Sequence, residues 1–112
     1  MIRLVWFLVS LTLLTSCTPP MIYSWGPYEE QIYLMYARPD ETDTAKQIEL
    51  LENHLSSTER IAPPGFHAQL GYLYFVSGMF EEARREFHKE KSAYPESATF
   101  MNRLLAKIDD ND

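Results

Sequence analysis

The sequence predicts an all-α domain. Three observations carry that expectation: apolar residues recur at three- and four-residue spacing in five stretches, no segment alternates apolar and polar at period two, and proline or glycine stands between the stretches.

The first helix is expected from Tyr28 to Ala37. Tyr23-Ser24-Trp25-Gly26-Pro27-Tyr28 sets three aromatics around a Gly-Pro turn signal, and Pro27 suits a helix start because its missing N–H is not needed there. Tyr28, Ile32, Met35 and Tyr36 share a face, and Pro39 closes the run. After a loop from Arg38 to Asp43, Thr44-Ala45-Lys46-Gln47 fits a capping box, and Ile48, Leu51 and Leu55 form the stripe of a second helix to about Ser57. Ile61-Ala62-Pro63-Pro64-Gly65 interrupts the pattern. A third helix follows from Phe66 to Ser77, stopped by Gly78. Its stretch Leu70 to Val76 has no charged side chain, so it is either packed on two sides or presents a sticky face. The fourth, Met79 to Tyr94, turns Phe80, Ala83 and Phe87 inward and covers its outside with Glu81, Glu82, Arg84, Arg85, Glu86 and Lys89. Pro95 ends it. Ser97 is the expected cap of a fifth helix lined by Met101, Leu104, Leu105 and Ile108, and residues 109–112 form an acidic tail.

The start of the chain reads differently. Residues 1–16 contain 11 apolar residues and one charge, Arg3, and have the parts of an export signal. The apolar stretch Leu4 to Leu14 is shorter than the roughly 20 residues that span a bilayer, so removal is expected rather than permanent insertion. Leu14-Thr15-Ser16-Cys17 resembles the bacterial lipobox, which implies signal-peptidase recognition at Leu14, Thr15 and Ser16 and acylation of Cys17, the only cysteine. Acyl chains contribute about 0.8 kcal/mol per buried CH₂, enough for several of them to hold a protein on a bilayer. By the same resemblance, Thr18 after the cysteine, where retained lipoproteins often have Asp, implies the periplasm-facing outer membrane. Residues 17–27 would be a lipidated tether and aromatic segment, and 28–108 the folded domain.

From Pro64 to Ser97 the chain resembles one tetratricopeptide repeat: Leu70-Gly71-x-x-Tyr74, Gly78-x-Phe80, Ala83-x-x-x-Phe87 and Pro95 fall at that family's spacing. The resemblance implies two antiparallel helices approaching closely at Gly71 and Ala83, with Tyr74 and Phe87 in the seam. His67 departs from the usual large aromatic, and Glu90 from the usual alanine, which puts close packing of the next repeat in doubt. Tyr28 to Ser57 would be a degenerate first hairpin and Ser97 to Ile108 a capping helix. Two hairpins and a cap are fewer than the three repeats such arrays usually need, so either the Trp25 segment or a partner completes the core. At whole-chain scale, Tyr-Ser-Trp-Gly-x-Tyr-Glu (Tyr23 to Glu29), Pro63 to Tyr74 and Phe87 to Met101 resemble small Gram-negative lipoproteins grouped as domain of unknown function 4810. Members of that family tend to be encoded beside lipoproteins similar to the curli-secretion pore protein, which implies an envelope lipoprotein as partner.

Function classes narrow accordingly. A net charge of −6 with no basic run beyond Arg84-Arg85 argues against nucleic acid. His54, His67 and His88 lack metal-ligand spacing, Glu86 and Glu90 are read as part of a solvated helix face, and no nucleophile motif or phosphate loop is present. No enzyme activity, cofactor or metal is expected. The candidate partner-binding residues are Ala68, Tyr72 and Phe75, on one face of the third helix, which is either groove or core. A second candidate surface is Tyr23, Trp25 and Tyr28, as stacking platforms for cell-wall glycan. A purely structural lipoprotein is the remaining alternative.

Overall fold

The computed structural model describes residues 1–2 and 20–111. Leu14, Thr15, Ser16 and Cys17 lie outside the described residues. The domain forms five helices: α1 (Tyr28–Ala37), α2 (Thr44–Ser57), α3 (Phe66–Val76), α4 (Phe80–Ala93) and α5 (Ala98–Asp109), with 3-10 turns at Pro39–Glu41 and Pro95–Ser97. Among the described residues there is no strand, only a parallel bridge between Tyr23 and Ile61. The architecture is all-α, as expected.

Helices α3 and α4 form the most extensive packing, with α5 against α4 and α2 against α3. The antiparallel α3–α4 pair is closed by a Schellman turn, in which Met79 N–H donates to Tyr74 O and Gly78 N–H to Phe75 O. At the seam the Phe87 ring lies over Gly71. A Cβ on Gly71 would stand 2.6 Å from that ring and 3.3 Å from the Ala83 carbonyl oxygen, so only glycine allows this separation. Leu51, Leu70, Leu73, Tyr74, Met101 and Ile108 surround the seam and are almost fully buried. The Tyr74 hydroxyl donates to Glu52, tying α3 to α2, and burial together with that bond pushes it far above its ordinary pKa.

Two carboxyl groups expected on a solvated face are buried instead. Glu86 and Glu90 are each 2% exposed. Glu90 accepts Gly65 N–H at 2.6 Å and Ala68 N–H at 3.3 Å, which are the donors left free at the start of α3. Gly65 sits at the cap position with φ +89° and has no side chain to do this, so a carboxyl from the neighbouring helix takes both halves of the capping role. Glu86 accepts from His67 Nδ1 at 2.8 Å and Lys89 Nζ at 2.7 Å. Burial raises its pKa, but the bonds from His67 and Lys89 outweigh that and hold the carboxyl below its ordinary value. Sequence spacing had put both on the outside because the helical face on which they lie is covered by the start of α3, which spacing within α4 does not reveal. Both departures from the repeat pattern, His67 and Glu90, thus belong to polar ties between α3 and α4.

Smaller corrections concern helix ends. The cap of α2 is Asp43, whose extended backbone lets Oδ1 accept Ala45 N–H at 2.9 Å and Lys46 N–H at 3.3 Å, while Thr44 is already helical. Ser97 makes no cap bond and donates to Tyr94 O within the 3-10 turn. In α1 the buried residue is Gln31, not Tyr36, which is 79% exposed. Asp109, assigned to the tail, ends α5 and pairs with Arg84 at 2.6 Å.

The segment before α1 folds back onto the domain. Ser24 N–H donates to Ile61 O at 3.0 Å, and Ser24 Oγ lies 2.9 Å from His54 Nε2. Rings run Tyr23, Trp25, Tyr28, Phe66 with successive centroids 6.4, 6.1 and 5.3 Å apart.

Two outcomes follow from the buried carboxyls. Glu90→Ala leaves two N–H groups without acceptors and should lower unfolding free energy in urea by about 2 kcal/mol, although alanine is the usual residue of the resembled repeat. Because the folded pKa of Glu86 is depressed, its contribution is present above the unfolded value near 4.5 and is lost as pH falls through the lower folded value. Glu86→Gln should therefore cost stability at neutral pH and flatten the acid limb of a stability-versus-pH curve below about pH 4.5.

Candidate functional site

Three helices contribute to one apolar groove. Ala68 and Tyr72 are one turn apart on α3, Phe100 and Leu104 one turn apart on α5, and Met35 with Tyr36 comes from the end of α1. Gln69 completes the lining, and its amide donates to Met35 Sδ at 3.3 Å, tying α1 to α3. The groove has a volume of about 520 Å³ and no charged side chain in its wall. Its rim is aromatic and open to solvent, with Tyr36, Phe100 and Tyr72 at 79%, 59% and 41% exposure.

Local folding explains why these side chains meet. α3 buries Leu70, Leu73 and Tyr74 in the seam with α4, which turns Tyr72 the other way. On α5, Met101 and Ile108 take the buried positions, leaving Phe100 outside. The Pro95–Ser97 turn between α4 and α5 brings the first turns of α5 back beside α3.

Of the residues expected to bind a partner, Ala68 and Tyr72 line the groove. Phe75 does not: its ring is half-buried and packs on Phe80 at 5.7 Å. Met35, Tyr36 and Leu104 read in sequence as core stripe, and Phe100 was not singled out. The available signal was the i,i+4 pair Phe100 and Leu104, which makes the apolar face of α5 wider than one buried stripe. The aromatic set Tyr23, Trp25 and Tyr28 is largely used in packing, since Tyr28 stacks on Phe66 and its hydroxyl fills the space beside Gly65. Only Trp25, 37% exposed, keeps much of its ring in solvent.

The groove wall offers two phenol hydroxyls, one amide and apolar surface, so it can hold apolar or aromatic side chains. Among the described residues no cluster of three or more His, Cys, Asp or Glu could hold a metal ion. His54 engages Ser24, His67 engages Glu86, and His88 is exposed on α4. Also among the described residues, no helix is long and apolar enough to cross a membrane.

No curated protein and no solved structure matches the chain. The family described as Domain of unknown function (DUF4810) matches residues 22–104, a span that takes in the folded-back arm, α1 to α4 and the groove-lining turns of α5, and the chain belongs to that family.

Proposed function

We propose that the protein is a periplasm-facing outer-membrane lipoprotein, anchored through acylated Cys17, that acts as a helical-repeat adaptor for another envelope lipoprotein. The observation that carries the adaptor reading is the groove: six apolar or aromatic residues from α1, α3 and α5 around one uncharged cleft whose rim is solvent-exposed. In a tetratricopeptide-like reading, α1 and α3 are the first helices of two hairpins and α5 is the cap, and first helices are the ones that line the concave face. Tyr and Phe give large contact area at small entropic cost, so Tyr36, Tyr72 and Phe100 suit a polypeptide partner. The lipobox-like Leu14-Thr15-Ser16-Cys17 and the absence of a second cysteine support the anchor. A secretion-type assembly containing a curli-secretion-like lipoprotein is the setting that the family resemblance implies. Cell-wall binding through Tyr23, Trp25 and Tyr28 is less favoured, because Tyr28 stacks on Phe66 and Tyr23 is half-buried with its ring against Trp25.

A photo-crosslinking residue in place of Tyr72 should give one discrete adduct with an envelope lipoprotein, and one in place of the exposed Glu49 on α2 should not. Phe100→Ala should weaken the interaction by about 2 kcal/mol, as truncation of an interface anchor does; equal adducts from both positions would sink the adaptor reading. Mass spectrometry of the mature N-terminus should find the Cys17 sulfur carrying a diacylglyceryl group in thioether linkage, and a free thiol there would remove the anchor.

A further inference from the structure

The two longest stretches without Asp, Glu, Lys or Arg are residues 4–28 and 61–80. The bridge between Tyr23 and Ile61 brings these two stretches together, next to the exposed Arg60. Apolar side chains near this junction are open to solvent: Met21 is 70% exposed, Ile22 65%, Ile61 58% and Trp25 37%. From Tyr23 onward the arm that carries them is tied to the domain. Ser24 is held by Ile61 O and His54, and Trp25 lies against Tyr23 and Tyr28.

We propose that Met21, Ile22, Trp25 and Ile61 form a lipid-contacting surface that rests in the bilayer interface and fixes the orientation of the domain on the membrane. The inference rests on the reading of Cys17 as the acylated N-terminus. Met21 is four positions after Cys17, so it lies at most about 14 Å along the chain from the acylated cysteine. An exposed apolar surface held that near the headgroups meets lipid before any other partner. Trp prefers the membrane–water boundary, where its ring is buried and its N–H stays hydrated. Because the arm is bonded to Ile61 and His54, its seating constrains all five helices and not a free tail.

The mature protein contains its own probe, since Trp6 precedes Cys17 and Trp25 is the only tryptophan after it. Mature lipoprotein reconstituted into phosphatidylcholine vesicles brominated near the headgroup should show Trp25 emission quenched at least about two-fold relative to unbrominated vesicles, as for a face buried several ångströms into the interface. Met21→Ser with Ile61→Ser, both at exposed positions, should leave the far-UV circular dichroism unchanged and remove most of the quenching. Protein that floats with the vesicles while Trp25 stays unquenched overturns the proposal and leaves the anchor standing. Quenching retained in full by the double variant also overturns it, because the tether alone would then account for the position of Trp25. Protein that does not float overturns both the anchor and the orientation built on it.

Discussion

The approach of α3 to α4 at Gly71 is the constraint on which the rest of the domain depends. With Phe87 laid on the glycine, the two helices come close enough to exclude water from Leu70, Leu73 and Tyr74. A helix as apolar as α3 would otherwise expose too much surface. The same closeness brings the start of α3 over the middle of α4, where Glu86 and Glu90 meet His67 and the free N–H groups of Gly65 and Ala68. Burying two carboxyl groups is tolerable because each has partners; without those partners the cost of desolvation would dominate.

Once one side of α3 is committed to α4, its opposite side is left for α1, α2 and solvent. α2 takes part of it through the core at Leu51 and the Tyr74–Glu52 bond, and α1 holds on through a few contacts, among them Gln69 with Met35. What remains uncovered is the line of Ala68 and Tyr72, flanked by Phe100. The groove is therefore a by-product of packing a helix apolar on all sides with too few neighbours to cover it.

The arm before α1 addresses the same shortage at the other end. Phe66, at the start of α3, is fully buried, and the run Tyr23, Trp25, Tyr28 covers it with stacked and edge-on rings. In that position the aromatics serve the fold first, which is why only Trp25 stays largely accessible. The arm is also the part of the domain nearest in sequence to Cys17, so a surface that stabilises the fold and one that could face lipid are formed from the same few residues.

Spacing within the chain determined the helices, because periodicity, proline positions and Gly78 act through local backbone geometry. The tetratricopeptide resemblance pointed to the seam residues Gly71, Tyr74, Ala83 and Phe87, and helical pitch alone put the two groove residues Ala68 and Tyr72 on a shared face. Other features depended on what lies opposite. Glu86 and Glu90 look solvated in a helical projection and become buried only when another helix end covers them. Phe75 shares the face of Tyr72 in projection yet is diverted to Phe80 by the α3–α4 turn. Phe100 joins the groove only because the Pro95–Ser97 turn returns α5 beside α3. The sequence by itself determined which faces were apolar, since that is a property of one helix. Which apolar face became core and which stayed open was decided by tertiary structure, since burial depends on the number and direction of neighbouring elements.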